Sequence, residues 1–138
     1  MRYLALDLGD RRIGVAISDP LGIFARPLEV FERCSRQEDF VRVQALIAQH
    51  GVDVVIAGLP LNMDGTEGPQ ADWVRDYTTE LAESITAPII LWDERLSTEE
   101  AKDILRAQGK RPGEADLDAV AAAVILQSYL DTVRSSGF

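Results

Sequence analysis

The stretch from Tyr3 to Gly9 limits the fold more than any other part of the chain, because it places one carboxylate inside an otherwise apolar strand. The residues on either side of Asp7 are typical of a buried β-strand, where an isolated charge is costly. Such a carboxylate normally becomes neutral, pairs with a cation or binds a metal ion. We therefore expect another part of the chain to supply a partner for Asp7.

Length and composition predict a single globular domain over residues 1–138. A chain of 138 residues suits one domain, and 46% hydrophobic with 27% charged residues is ordinary for a globular protein. No apolar run approaches the roughly 20 residues that a membrane span needs. The N-terminus does not resemble a signal peptide, and Cys34 is the one cysteine. Both features predict a cytoplasmic protein, with Cys34 either without a role or in an intermolecular disulfide.

The overall charge argues against bulk electrostatic binding to nucleic acid. The net charge is -9 and the pI is near 4.5. A nucleic-acid partner would need local positive patches, for which Arg11 with Arg12 and Lys110 with Arg111 are candidates. Such pairs are also common as plain solvated surface charge.

The order of strand-like and helix-like patterns predicts an α/β fold, βββαβαβ followed by two helices. Ile13 to Ser18 forms an antiparallel hairpin with the first strand, and a third strand with Pro27 suits a sheet edge. Ser35 and Glu38 form a capping box that begins the first helix. Val52 to Ala57 is typical of a buried parallel strand.

The loop from Gly58 to Pro69 follows that parallel strand and is rich in glycine and proline. Loops at the carboxyl ends of parallel strands often bind ligands, and their backbone N–H groups often contact phosphates. A plain connection to the next helix, expected from Gln70 to Ser84, explains the same residues equally well.

More acids follow the last predicted strand and open the last helix. Asp93 and Glu94 are adjacent, so at most one of them can share a site with Asp7. A capping box at Ser97 predicts a helix ending at Gly109, before the final helix from Asp116 to Val133. Asp116 and Asp118 point to roughly opposite sides of that final helix, so only one can face the sheet.

Three converging carboxylates would account for a buried Asp7. Carboxylate oxygens suit Mg²⁺ or Mn²⁺, whereas one histidine and one cysteine argue against a zinc site. Two such ions can activate a water and stabilise the leaving oxygen in phosphodiester hydrolysis.

Four motifs in this order resemble the YqgF family, also called RuvX, over essentially the whole chain. Its members are described as pre-16S rRNA nucleases or Holliday junction resolvases. The motifs are Asp7-Leu8-Gly9 with Arg12 to Ala16, Gly58 to Gly65, Asp93 to Thr98, and Asp118 to Ala122.

The resemblance implies a ribonuclease H-like fold, with a five-stranded mixed sheet and helices on both faces. Strands one to three would be antiparallel, and strands one, four and five parallel. It implies that Asp7, Glu94 and Asp118 are the catalytic and metal-binding acids, and it chooses Glu94 over Asp93 and Asp118 over Asp116. It also implies processing at the 5′ end of the 16S rRNA precursor, or else resolution of four-way DNA junctions.

We hypothesise that Asp7 bridges two Mg²⁺ or Mn²⁺ ions, with Glu94 and Asp118 completing the ligand sets. The predicted substrate-binding residues are Arg12, Asn62, Gly65, Arg95, Lys110 and Arg111. The partner is nucleic acid, either precursor rRNA or branched DNA, and the protein is a monomer or a homodimer.

Two other classes of function stay open. The Asp-x-Gly strand also resembles the phosphate-binding hairpin of actin-like ATPases and sugar kinases, but this chain has room for only one of their two lobes. The second class is a non-catalytic nucleic-acid-binding or ribosome-assembly factor on the same fold, against which the three acids argue.

Overall fold

Five strands form one mixed sheet in the computed structural model, which describes residues 1–96, 103, 107 and 114–135. The strands are β1 (Tyr3–Leu8), β2 (Arg12–Ser18), β3 (Ala25–Glu32), β4 (Val54–Leu59) and β5 (Ile89–Asp93). Their order in the sheet is β3-β2-β1-β4-β5. β1 with β2 and β2 with β3 are antiparallel, whereas β1 with β4 and β4 with β5 are parallel. The predicted sheet is therefore confirmed, and Pro27 lies on an edge strand.

Helices cover both faces of this sheet. They are α1 (Arg36–His50), α2 (Pro69–Ser84) and α3 (Glu114–Ser135), and a short 3₁₀ helix spans Glu94–Leu96. Leu4, Leu6 and Leu8 of β1 pack in the core beneath α1 and α2. Ala5, the residue between the first two, packs in the core beneath α3. This alternation is the expected period of a strand buried on both faces.

Local signals determine where the first two helices begin and end. The Ser35 hydroxyl accepts a hydrogen bond from the Glu38 backbone N–H at 3.2 Å, as the capping box predicts. Gly51 ends α1 in the left-handed conformation, with φ of 63°. Pro69 occupies the first turn of α2, where its missing N–H costs nothing.

The fourth strand differs from its predicted range. It begins at Val54 and continues to Leu59, because pairing with β5 extends over Gly58 opposite Trp92 and Leu59 opposite Asp93. Gly58 is therefore a strand residue, and the loop proper begins at Pro60.

Some predictions fall on other parts of the chain. Most of the helix expected between Ser97 and Gly109 lies outside the described residues, although Asp103 and Ala107, which are described, are both helical. Lys110 and Arg111 also lie outside the described residues. Among the helices that are described, none has a long enough apolar stretch to cross a membrane.

Candidate active site

Asp7 lies on the face of the sheet that α3 covers. Its neighbours Leu6 and Leu8 point into the opposite core, so the alternation of β1 turns Asp7 toward α3. The side chain is partly buried. Burial, together with the charge of Asp118, raises the pKa of the Asp7 carboxyl to about 6.

Gly14 brings Asp118 to this position. Gly14 lies opposite Asp7 in the pairing of β1 with β2. A Cβ on Gly14 would stand 1.9 Å from the Asp118 backbone oxygen and 2.9 Å from the Ala119 nitrogen. Only glycine allows α3 to pass this close to β2, so this position determines how near Asp118 comes to Asp7.

Glu94 reaches the same face from the end of β5. It is the first residue of the 3₁₀ helix, two positions after Trp92, which packs in the core beneath α3. A Cβ on Gly58 would lie only 2.6 Å from Glu94 Oε1, so the carboxylate rests over this glycine of β4. Burial and then the charges of Asp7 and Asp93 raise the pKa of Glu94 to about 7.

Asp93 has a different environment from Glu94. Its carboxylate accepts hydrogen bonds from the Arg95 backbone N–H at 2.9 Å and from Arg95 Nη2 at 2.9 Å. The Arg95 side chain holds the pKa of Asp93 below its usual value. The structure therefore places Glu94 near Asp7, whereas Asp93 forms an ion pair with Arg95.

Arg12 places a positive charge at the acid cluster. Its Nε lies 3.3 Å from Asp118 Oδ2, and both side chains remain partly exposed. An ion pair this exposed stabilises the fold by at most about 1 kcal/mol, so Arg12 can readily exchange Asp118 for another anion.

The donor chemistry of these acids fits a divalent cation. Asp7, Glu94 and Asp118 offer oxygen ligands alone, which Mg²⁺ and Mn²⁺ prefer. The raised pKa values of Asp7 and Glu94 show that burial and neighbouring negative charges destabilise the ionised carboxylates, and the charge of a bound cation would offset this effect. In the described part of the chain, no group of three or more acidic, histidine or cysteine side chains is already gathered as a metal site.

Asn62 and Gly65 shape the loop after β4. The Asn62 backbone N–H donates to the Thr66 carbonyl at 2.9 Å, and its Nδ2 donates to Thr66 Oγ1 at 2.9 Å. Gly65 has φ of +88°, a conformation that favours glycine, and its N–H donates to the Asn62 carbonyl. Both predicted substrate-binding residues thus hold a compact turn.

Arg95, the remaining described substrate-binding candidate, joins the end of β5 to this turn. Nε and Nη2 contact Asp93, and Nη1 donates to the Met63 carbonyl at 3.1 Å. Two glycines shape the site by close packing that the sequence did not assign to them. Gly14 had no role of its own, and Gly58 was placed at the start of the candidate phosphate-binding loop. A glycine inside a strand signals close backbone approach, and this signal was available from the sequence for Gly14 but not for Gly58, whose strand was expected to end at Ala57.

Comparison with known proteins identifies relatives along nearly the full length. The model of the RuvX family, described as Holliday junction resolvase, matches residues 1–132. A protein of Desulforudis audaxviator is 45% identical over 137 residues, covering 98% of this chain and 97% of its own. One from Halothermothrix orenii is 47% identical over 135 residues, covering 95% of each. Both carry the name "Putative pre-16S rRNA nuclease".

Solved structures with low sequence identity share the fold. Thermus thermophilus RuvC, solved in complex with a Holliday junction substrate, has a TM-score of 0.63 at 15% identity and covers 96% of each chain. The large terminase nuclease of thermophilic phage G20c has a TM-score of 0.57 at 16% identity, covering 93% of this chain and 81% of its own. The fold is ribonuclease H-like, and the chain belongs to the RuvX family of nucleases.

Proposed function

We propose that this protein hydrolyses phosphodiester bonds at the 5′ end of the 16S rRNA precursor, as a single cytoplasmic domain. The observation that carries the proposal is the placement of Asp7, Glu94 and Asp118 on one face of the sheet, with the pKa values of the first two raised. The names of relatives at 45% and 47% identity support the choice of substrate.

Asp7, Glu94 and Asp118 would hold Mg²⁺ or Mn²⁺, with two ions as the expected number. When bound, these ions supply a nucleophile at neutral pH and stabilise the charge that develops on the leaving oxygen. The three carboxylates balance that positive charge and determine where the scissile phosphate sits.

The other proposed substrate-binding residues supply either a positive charge or a compact turn. The Arg12 guanidinium, 46% exposed beside Asp118, is available to contact a phosphate. Asn62, Gly65 and Arg95 build the turn at the opposite edge, and Lys110 and Arg111 are proposed to contact the phosphate backbone. Local cations are needed because the protein carries a net charge of -9, which would otherwise repel nucleic acid.

The test compares the protein and its Asp7→Asn variant on a precursor 16S rRNA transcript in Mg²⁺ and in Mn²⁺. We expect cleavage near the mature 5′ end by the wild type, loss of that cleavage in EDTA and none by the variant. The variant also controls for contaminating nucleases. Full activity of Asp7→Asn would contradict the assignment of the acids.

A second candidate function is resolution of four-way DNA junctions. The description of the family as Holliday junction resolvase favours it, as does the fold shared with RuvC. A symmetric junction requires two cuts, so this function predicts a homodimer, whereas a monomer suffices for rRNA. Cleavage of a synthetic junction, with light scattering for mass, separates the two. Binding without cleavage of either substrate would instead support a non-catalytic factor.

A further inference from the structure

Each of the three nitrogens of the Arg95 guanidinium has a partner within the protein. Nε lies 3.2 Å from Asp93 Oδ1, Nη2 lies 2.9 Å from Asp93 Oδ2, and Nη1 lies 3.1 Å from the Met63 carbonyl. The Asp93 side chain is only 18% exposed, against 38% for Arg95, so this ion pair is partly shielded from water. A shielded fork-to-carboxylate pair is more rigid than an ordinary surface pair.

Further hydrogen bonds hold each of the two segments that Arg95 connects. On the β5 side, Asp93 also accepts the Arg95 backbone N–H, and Ser128 Oγ of α3 donates to the Leu96 carbonyl at 2.7 Å. These bonds fix the two ends of the 3₁₀ helix that carries Glu94.

Hydrogen bonds also hold the turn after β4. Asp64 Oδ1 accepts the Thr66 N–H at 2.9 Å and the Thr66 hydroxyl at 2.6 Å. A Cβ on Gly65 would stand 3.5 Å from Arg95 Nη2, so the guanidinium also packs against the turn. The turn is therefore compact, and Arg95 connects it to the end of β5 through hydrogen bonds.

We propose that Asp93 and Arg95 are positioning residues, which together hold the turn from Asn62 to Thr66 at a fixed place beside Glu94. Arg95 then supports substrate binding through the turn and not by direct contact with a phosphate. The part of this inference that concerns nucleic acid depends on the proposed function. The part that concerns the turn does not.

The Asp93→Asn variant distinguishes positioning from direct phosphate contact, because the two roles predict opposite changes in binding affinity. In an Asp7→Asn background, binding of a labelled precursor 16S rRNA fragment is measured with and without Asp93→Asn. We expect binding about fivefold weaker, since the turn loses its anchor although the protein loses a negative charge. If Asp93 merely restrained a phosphate-binding arginine, the same variant would bind more tightly, which would overturn the proposal.

The salt dependence of binding provides a second comparison. Arg95→Gln should weaken binding while leaving the slope of log affinity against log salt unchanged. A slope smaller by about 0.7–0.9 would show that Arg95 neutralises a phosphate, and the proposal would fail.

Hydrogen exchange tests the turn without any nucleic acid. The N–H groups of Asn62, Gly65 and Thr66 are hydrogen-bonded within the turn. We expect them to exchange about tenfold faster in Asp93→Asn and in Arg95→Gln. Arg42→Gln is the matched control, because it breaks a distant exposed ion pair with Glu29 and should leave these amides unchanged.

Unchanged exchange in both site variants would overturn the proposal. If no variant binds nucleic acid, the proposed function fails, but the exchange data still decide whether Asp93 and Arg95 hold the turn.

Discussion

Gly14 lies directly against the backbone carbonyl of Asp118, at a separation that leaves no room for a side chain. An ideal Cβ on Gly14 would stand 1.9 Å from that oxygen. Because Gly14 is also paired with Asp7 across the hairpin, one glycine controls the spacing between an acid of β1 and an acid of α3.

Gly14→Ala should therefore damage both stability and activity. The clash is with backbone, which cannot rotate away, so we expect a loss of about 2–3 kcal/mol in the free energy of unfolding together with loss of cleavage. Urea denaturation and the rRNA cleavage assay provide the two measurements. Gly51→Ala is the control, since nothing lies within 4 Å of its Cβ and its φ of +63° predicts only about 1 kcal/mol. Wild-type stability in Gly14→Ala would refute the close packing.

Gly58→Ala should separate activity from stability. Its Cβ would meet Glu94 Oε1 at 2.6 Å and Cδ1 of the buried Ile125 at 2.9 Å, and both atoms lie at the ends of side chains that can shift. We expect a cost of about 1–2 kcal/mol in the free energy of unfolding, mainly from repacking Ile125, with a much larger loss of cleavage because the Glu94 carboxylate is displaced. The same two assays apply, and a variant that cleaves normally would argue against a role for Glu94 at its observed position.

Asp7→Asn should stabilise the protein at alkaline pH in the absence of divalent ions. The pKa of Asp7 rises from 3.8 to about 6 on folding, so the folded state holds its proton more tightly. Well below the unfolded-state pKa of 3.8 both states are protonated and there is no penalty, which then grows as the pH rises above 3.8. As the pH rises through 6, the penalty for the ionised carboxylate develops fully and stability falls.

We expect the free energy of unfolding of the variant to exceed that of the wild type by about 1–3 kcal/mol at pH 8, and the difference to shrink as the pH falls and to vanish near about pH 3. Urea denaturation of both proteins in EDTA measures this difference. Equal stability of the two proteins at pH 8 would show that the ionised Asp7 carboxylate does not destabilise the fold.

Divalent cations should stabilise the wild type selectively. If Asp7, Glu94 and Asp118 hold Mg²⁺, an ion concentration about a hundredfold above Kd adds about 2.7 kcal/mol. Thermal denaturation at pH 8 with and without MgCl₂ should show a rise in Tm for the wild type and a much smaller one for Asp7→Asn. An equal rise in both proteins would indicate a general salt effect.

Much of the architecture was predictable because it depends on local patterns. The capping box at Ser35, the edge position of Pro27 and the two apolar faces of β1 follow from short-range rules. The range of β4 was predicted less well, since its last two residues pair with a strand about thirty positions away.

The sequence by itself indicated that Asp7 needs a partner and that only one of Asp93 and Glu94 can share its site, whereas the choice of Glu94 and Asp118 rested on the family resemblance. Strand alternation separates Asp93 from Glu94, because it depends on neighbouring residues alone. Only the tertiary structure decided how closely α3 approaches β2 at Gly14, that Arg12 pairs with Asp118 and that Arg95 spans from Asp93 to Met63. Those contacts join segments far apart in the chain, so packing of the whole sheet with its helices establishes them.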